Sequence, residues 1–474
     1  MTSVKPAVAH GWLVVCVLTA SAVAVGFWGA RDPRLFLGVA GAIVVFALAA
    51  LALARPSTAL SLAVLLVLIA GTKFRYREVA DSNVVDAQVL LELGLYALNG
   101  VILAVAWLSE RRERVRLTAM DLMLWGYVLY TLASVGWSNA PKVTLVRSLE
   151  LLILLLLVEV AVRFWGAEKA LRMIGAPLLP FALVSAAAAL TIPGASGTIH
   201  EYEGDVRFSW FAMHPISVAA VVGTAFMYLL ADALFLSGGW SRRRFAIPIW
   251  LHAIVLLAIF LATRSRGPTL ALMLGVSALV LRRYARAWTI PLLGAIVTAT
   301  VVVISAGPSV GGLMRSGASS TNPLAAFLFR GQSAQEVEGL NGRADLWEGS
   351  LSLLRKQPLI GYGYQGSRQL LLDIMPWAGH AHNALMEALL DLGILGASLI
   401  WLPVGLCFFR SLTAPRNQHG DRAWCQAVIL GIVSFMIVNS MGDASFAGTP
   451  TFDVFLMMGC ILIQERLRLA HAAT

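Results

Sequence analysis

The sequence predicts an all-α polytopic membrane protein of about 12–14 transmembrane helices with one large loop of short helices. Three observations predict it. Of 474 residues, 58% are hydrophobic and 13% are charged, against about 25% charged in soluble domains; mean hydropathy is +0.77. Apolar stretches of spanning length recur along almost the whole chain. The short connections between them alternate between strongly basic and nearly neutral. Lipid offers no water to backbone groups, so stretches of this length must form helices or barrel strands, and their Leu, Ala and Val content selects helices.

In chain order, candidate spans lie near 11–29, 35–53, 58–73, 88–108, 119–136, 147–163, 170–192, 215–237, 245–263, 268–284, 287–306, 383–409, 424–440 and 452–467. The first, behind Lys5, resembles a signal sequence without a small-residue cleavage site and is read as a retained helix. Three regions follow: N-terminal spans over 1–306, a large loop over 307–382, and C-terminal spans over 383–474. Every second connection is basic: RRERVR at 111–116, RFWGAEKALR at 163–172, SRRR at 241–244, RRYAR at 282–286, the 410–422 loop and the RLRLAH tail. By the positive-inside rule these face the cytoplasm. The large loop then faces the periplasm, with 193–214, 264–267 and 441–451 on the same side. The net charge of +10 comes from these clusters and not from one soluble face, which excludes a nucleic-acid partner and leaves membrane lipids.

Within the large loop, residues 344–355 carry apolar positions at helical spacing and are stopped by Pro358; a flexible Gly-Tyr-Gly-Tyr-Gln-Gly turn at 361–366 precedes a second helical piece over 367–375. No strand precedes that glycine-rich turn, so it is not a nucleotide loop. Cys16, Cys407, Cys425 and Cys460 lie in or beside apolar runs, with no C-x-x-C pair. The sequence shows no His/Cys ligand cluster, no H-E-x-x-H and no serine-nucleophile motif, so no metal and no cofactor are expected.

Arginines gather on the periplasmic side: Arg147 at the start of a span, Arg207, Arg264 and Arg266 in short loops, and Arg343 in the large loop. A guanidinium fork donates two parallel hydrogen bonds and stays charged, which suits a phosphate anion; the bland alternatives are snorkelling to headgroups or pairing with carboxylates such as Glu150. His382 and Asn383 open the 383–409 span at the membrane boundary. A neutral imidazole there can accept a hydroxyl proton, whereas Asn383 is equally an ordinary helix cap. Glu387 and Asp391, four apart on that helix, can orient or charge-balance His382 or an arginine. His380 and His214 are further loop histidines.

The array of SRG at 265–267, NGRADLW at 341–347, QPLIGYGYQG at 357–366 and HNALMEALLDLGILG at 382–396 resembles the O-antigen ligase and polymerase superfamily of bacterial envelope glycosyltransferases, as do SVGWSNAPKVTLVRSLELL at 134–152 and VRFSWFAMHPISVAA at 206–220. Ile216 departs from it, since many relatives carry Asn there. The resemblance implies a GT-C-type fold in the bacterial inner membrane. It implies a glycan donor on undecaprenyl pyrophosphate, held by Arg207, Arg266 and Arg147 and joined to an acceptor by His382. Transfer to the lipid A-core of lipopolysaccharide is the expected reaction. A polymerase or a protein O-oligosaccharyltransferase of the same superfamily is the near alternative, and a lipid-linked glycan transporter the distant one; the lack of a visible inverted repeat speaks against the last.

Overall fold

The computed structural model describes residues 54–72, 87–109, 117–191, 199–200, 206–211, 213–236, 249–284, 342–415 and 420–472. The expected spans at 11–29, 35–53 and 287–306, and loop residues 307–341, lie outside the described residues. Within them the protein is a polytopic bundle of α-helices, with one two-residue antiparallel ladder between β1 (Ile199–His200) and β2 (Val206–Arg207). Among the described residues, five helical segments are long and apolar enough to cross a membrane: Val89–Trp107, Ala119–Gly136, Pro215–Phe235, Ala384–Thr413 and Gly420–Asn439.

The first described helices, α1 (Pro56–Ala70) and α2 (Ala87–Ser109), pack on one another and on the long helix over Pro141–Gly175. Helix α3 (Ala119–Ala133) begins in a capping box: Asp121 N–H donates to the Thr118 hydroxyl while the Asp121 carboxylate accepts from Thr118 N–H at 2.6 Å. Helix α4 runs over Pro141–Gly175 through a kink at Gly166, φ 70°. The following α5 is Leu178–Thr191. The sequence reading divided this stretch into spans at 147–163 and 170–192, and the backbone leaves helical geometry between them at Gly166, φ 70° and ψ 167°, a conformation that glycine adopts without steric cost. Then come α6 (Pro215–Phe235), α7 (Ile249–Ala262), α8 (Arg266–Tyr284), the short α9 (Arg343–Lys356) and α10 (Arg368–Ile374), and α11 (Ala384–Thr413), α12 (Gly420–Asn439) and α13 (Phe452–Ala472). Helices α8 and α12 approach closely because Gly275 lacks a side chain: a Cβ there would sit 2.9 Å from the Gly431 carbonyl oxygen.

The two ends of the bundle differ. At one end the basic connections converge, with Arg466 on Asp121, Arg172 on Asp421, Arg410 and Arg468 on Glu465, and Arg282 on the Ser411 carbonyl. These contacts join the ends of six helices that the alternation of charged loops assigns to one face. At the other end the 137–147, 207–214, 342–383 and 440–451 segments meet.

The keystone of that second end is residues 358–367. Helix α11 breaks at Gly393, φ 64° and ψ −170°, and the loop inserts into the break. Tyr362 N–H donates to Leu390 O at 2.9 Å and Gly363 N–H to Asp391 O at 2.8 Å, while Ile394 N–H donates back to Pro358 O at 2.9 Å. The Asp391 carboxylate accepts from Gln365 N–H, Ser367 N–H and the Ser367 hydroxyl, at 2.8, 3.2 and 2.6 Å. From the other side Asn139 N–H reaches Tyr362 O, the Thr144 hydroxyl reaches Tyr364 O, and the Tyr364 hydroxyl reaches Gly448 O. The Gly-Tyr-Gly-Tyr-Gln-Gly segment, expected as a flexible turn, is therefore a fixed brace that satisfies backbone groups freed in a membrane helix.

Candidate functional site

Helix α11 also sets the geometry of the loop before it. Asn383 is the N-cap, its side-chain oxygen accepting from Leu385 N–H at 3.0 Å and Met386 N–H at 3.1 Å. This cap leaves His382 at the mouth of the helix with φ 50°, a left-handed backbone that a histidine adopts only when its surroundings impose it. The surroundings are visible. Glu387, buried on the first turn, accepts Ala381 N–H at 2.7 Å, and the Trp347 indole of α9 donates to Ala381 O at 2.9 Å. Arg368 of α10 donates to Gly379 O at 3.1 Å, and Ala384 N–H reaches Ser440 O at 2.9 Å.

With its backbone pinned, the His382 side chain is left poised. Its ring lies 3.9 Å, centroid to centroid, from that of His380 and 5.5 Å from that of Trp377. His382 N–H donates to His380 Nδ1 at 3.1 Å, while His382 Nδ1 is buried without a hydrogen-bond partner among the described residues. Burial pushes the His382 imidazole down to about 3, helped by the positive charges of His380, Arg343 and His214 and opposed by Asp443. The ring is therefore neutral at physiological pH. Arg343 opens α9 behind Gly342 and lies against the Gly442 backbone, where a Cβ would be 3.4 Å from its Nη1.

Arg207, Arg264 and Arg266 form a second group. Arg207 is 2% exposed; its Nε donates to Thr263 O at 3.2 Å and its Nη2 to the Ser265 hydroxyl at 3.0 Å. It is bolted to the α7–α8 turn, in which Arg264 takes φ 48° and Arg266 is the first residue of α8. The turn from Arg207 leads directly to His214, which caps α6 through its Nδ1 on Ile216 N–H and whose charge acts on His382. Arg147 stands apart from both groups: it is paired with Glu92 and, at 2.8 Å, with Glu150.

Two of these roles were not legible beforehand. Asp443, the acidic neighbour of His382, is a lone aspartate in a short loop, with no spacing signal to mark it. Asp391 had been expected beside His382 or an arginine; it braces residues 365–367 instead, because the helix break at Gly393 gives its carboxylate backbone N–H donors.

Fold and site together define a polytopic membrane protein with a pinned, neutral histidine at a helix mouth, flanked by arginine and aspartate. Residues 251–402, which span α7 to the middle of α11 and include Arg264, Arg266, Arg343, His380 and His382, match the family described as O-antigen ligase. The exopolysaccharide production protein ExoQ of Rhizobium meliloti (strain 1021) is 27% identical over 146 residues, covering 28% of this chain and 33% of that protein. The chain thus spans about a third of the length of the curated relative it matches. Both likenesses support membership of the O-antigen ligase and polymerase superfamily. Members of that superfamily are glycosyltransferase-like enzymes acting on lipid-linked glycans.

Proposed function

We propose that this chain is an O-antigen ligase of the bacterial inner membrane, with its histidine end in the periplasm, transferring glycan from undecaprenyl pyrophosphate to lipid A-core without a metal. The observation that carries the reading is His382: a neutral imidazole at a helix mouth with an unpartnered Nδ1, held between Arg343 and Asp443. Both substrates are lipids, and a site where a helix emerges from the membrane is where two lipid-borne groups can meet.

In the proposed step, His382 takes the proton of an acceptor hydroxyl as that oxygen attacks the anomeric carbon of the donor sugar. The bond from that carbon to the pyrophosphate oxygen breaks, and undecaprenyl pyrophosphate leaves with the electron pair; displacement inverts the anomeric carbon. Arg343, Arg207 and Arg266, with Arg264 beside them, hold the pyrophosphate and stabilise its developing charge, which removes the need for a general acid. Asn383, Glu387 and His380 fix the position of the base. A histidine held near 3 is a weak base. Donor binding corrects this, since a pyrophosphate beside Arg343 and His380 offsets the positive charges that depress His382 and raises its pKa when the acceptor arrives. Arg147 takes a structural part here, its charge being matched by Glu92 and Glu150.

The similarity to a protein named for exopolysaccharide production favours one second reading, in which the acceptor is another carrier-linked glycan and the chain is a polymerase. The test is transfer by purified protein in detergent, with undecaprenyl-pyrophosphate glycan and lipid A-core as substrates and a chelator present. Glycosylated lipid A-core is the expected product. Growth of glycan on the carrier lipid alone would replace ligase by polymerase, and no transfer from folded protein would overturn both.

A further inference from the structure

His380, His382 and Asp443 each present one ligand atom, and the three atoms lie within 4.8 Å of one another. All three residues are half-buried, open to a small ion yet partly shielded from water. The sequence concealed this trio because the aspartate follows His382 by two helices and a turn and sits in another loop. From this geometry we infer an inhibitory site for a borderline transition metal of the Zn2+ class, formed by His380, His382 and Asp443, whose occupancy blocks His382.

The donor set fits that class. Two imidazoles and one carboxylate, with a fourth position open to water, form an ordinary zinc coordination sphere, whereas Mg2+ and Ca2+ select all-oxygen cages. A tetrahedral ion with bonds of about 2.1 Å sets its ligand atoms about 3.4 Å apart, so closure here takes roughly an ångström of side-chain rotation. The unpartnered His382 Nδ1 gives up no hydrogen bond if it turns toward an ion. His380 does, because its Nδ1 accepts His382 N–H. Arg343 acts on the same ring and opposes a second cation. The site is therefore tuned to reversible occupancy, and a donor pyrophosphate and a metal compete for the same small volume with opposite effects on His382. Ion binding stands on the geometry alone; its effect on transfer rests on the proposed role of His382 as base.

The experiment separates the two. Protein purified on a histidine-free affinity tag is stripped with chelator, dialysed and titrated with Co2+, whose visible absorption reports low-symmetry coordination by nitrogen and oxygen. One Co2+ per chain is expected, displaced by Zn2+ and not by Mg2+. His380→Ala and the conservative Asp443→Asn each weaken binding at least about tenfold. Binding that never saturates, or that ignores both substitutions, overturns the site. In parallel, Zn2+ is expected to stop glycan transfer at the concentration that displaces Co2+, reversibly with chelator. Saturable binding with transfer undiminished overturns the blocking of His382. A wild-type protein with no transfer under any condition overturns the functional reading, while the Co2+ titration still decides the site.

Discussion

Two loops flank α10 and both dock on α11, yet they are built on opposite terms. In residues 358–367 the backbone is answered by the helix it enters: backbone N–H groups meet the carbonyls of the broken helix, and a buried carboxylate takes three donors at once, while Gln365 Nε2 is buried without a hydrogen-bond partner among the described residues. In residues 379–383 the backbone is also tied, by Arg368, Trp347 and Glu387, but the imidazole it presents is left with a nitrogen unanswered. The brace turns its donors onto a carboxylate and onto the carbonyls of a broken helix, whereas the second loop turns a titratable imidazole toward Arg343 and Asp443; a buried polar atom without a partner is costly unless a ligand supplies one.

Substitutions should separate the two loops cleanly. The largest effect is expected at His382→Ala, which removes the proposed base and should lower transfer by a factor of roughly a hundred to ten thousand with little change in thermal stability. In the brace, Gly393→Ala places a Cβ 2.2 Å from the Leu359 carbonyl at φ 64°. Expulsion of the loop should cost about 3 kcal/mol, read as a lowered unfolding temperature in detergent; an unchanged midpoint would show that the insertion contributes nothing to stability. Asp391→Ala leaves three donors facing an apolar methyl group and should cost about 2 kcal/mol.

The last effect is electrostatic and develops only on acidification. His382 is held at about 3 in the folded protein against 6.5 in its absence. Between these values the unfolded chain takes up a proton that the folded one refuses, so the contribution to stability is full above about 6.5 and is lost as the pH falls toward 3. Thermal scans across that window should slope downward on acidification for the wild type and less steeply for His382→Gln; parallel slopes would place the histidine in water.

Much of this was readable in the sequence. The helices at 343–356 and 368–374 were expected at 344–355 and 367–375, and a helix cap was one of two readings of Asn383, the other being a substrate-binding side chain. Apolar periodicity, proline and asparagine announce local structure, and local signals survive without the fold. The break at Gly393 did not show, since Leu-Asp-Leu-Gly-Ile-Leu-Gly scans as a mostly apolar run and the loop that makes the break tolerable lies about thirty residues upstream. Arg147 illustrates the same limit: Glu150, one turn away, was a visible partner, whereas Glu92 on α2 was not. Pairings made through tertiary structure carry no spacing in the chain.

The most direct test of the contrast measures unfolding temperature and glycan transfer per folded molecule on the same preparations of His382→Ala and Asp391→Ala. The account predicts a crossed result: His382→Ala folds as the wild type does and transfers almost nothing, while Asp391→Ala melts early but transfers normally in the fraction that remains folded. Full transfer by folded His382→Ala would contradict it.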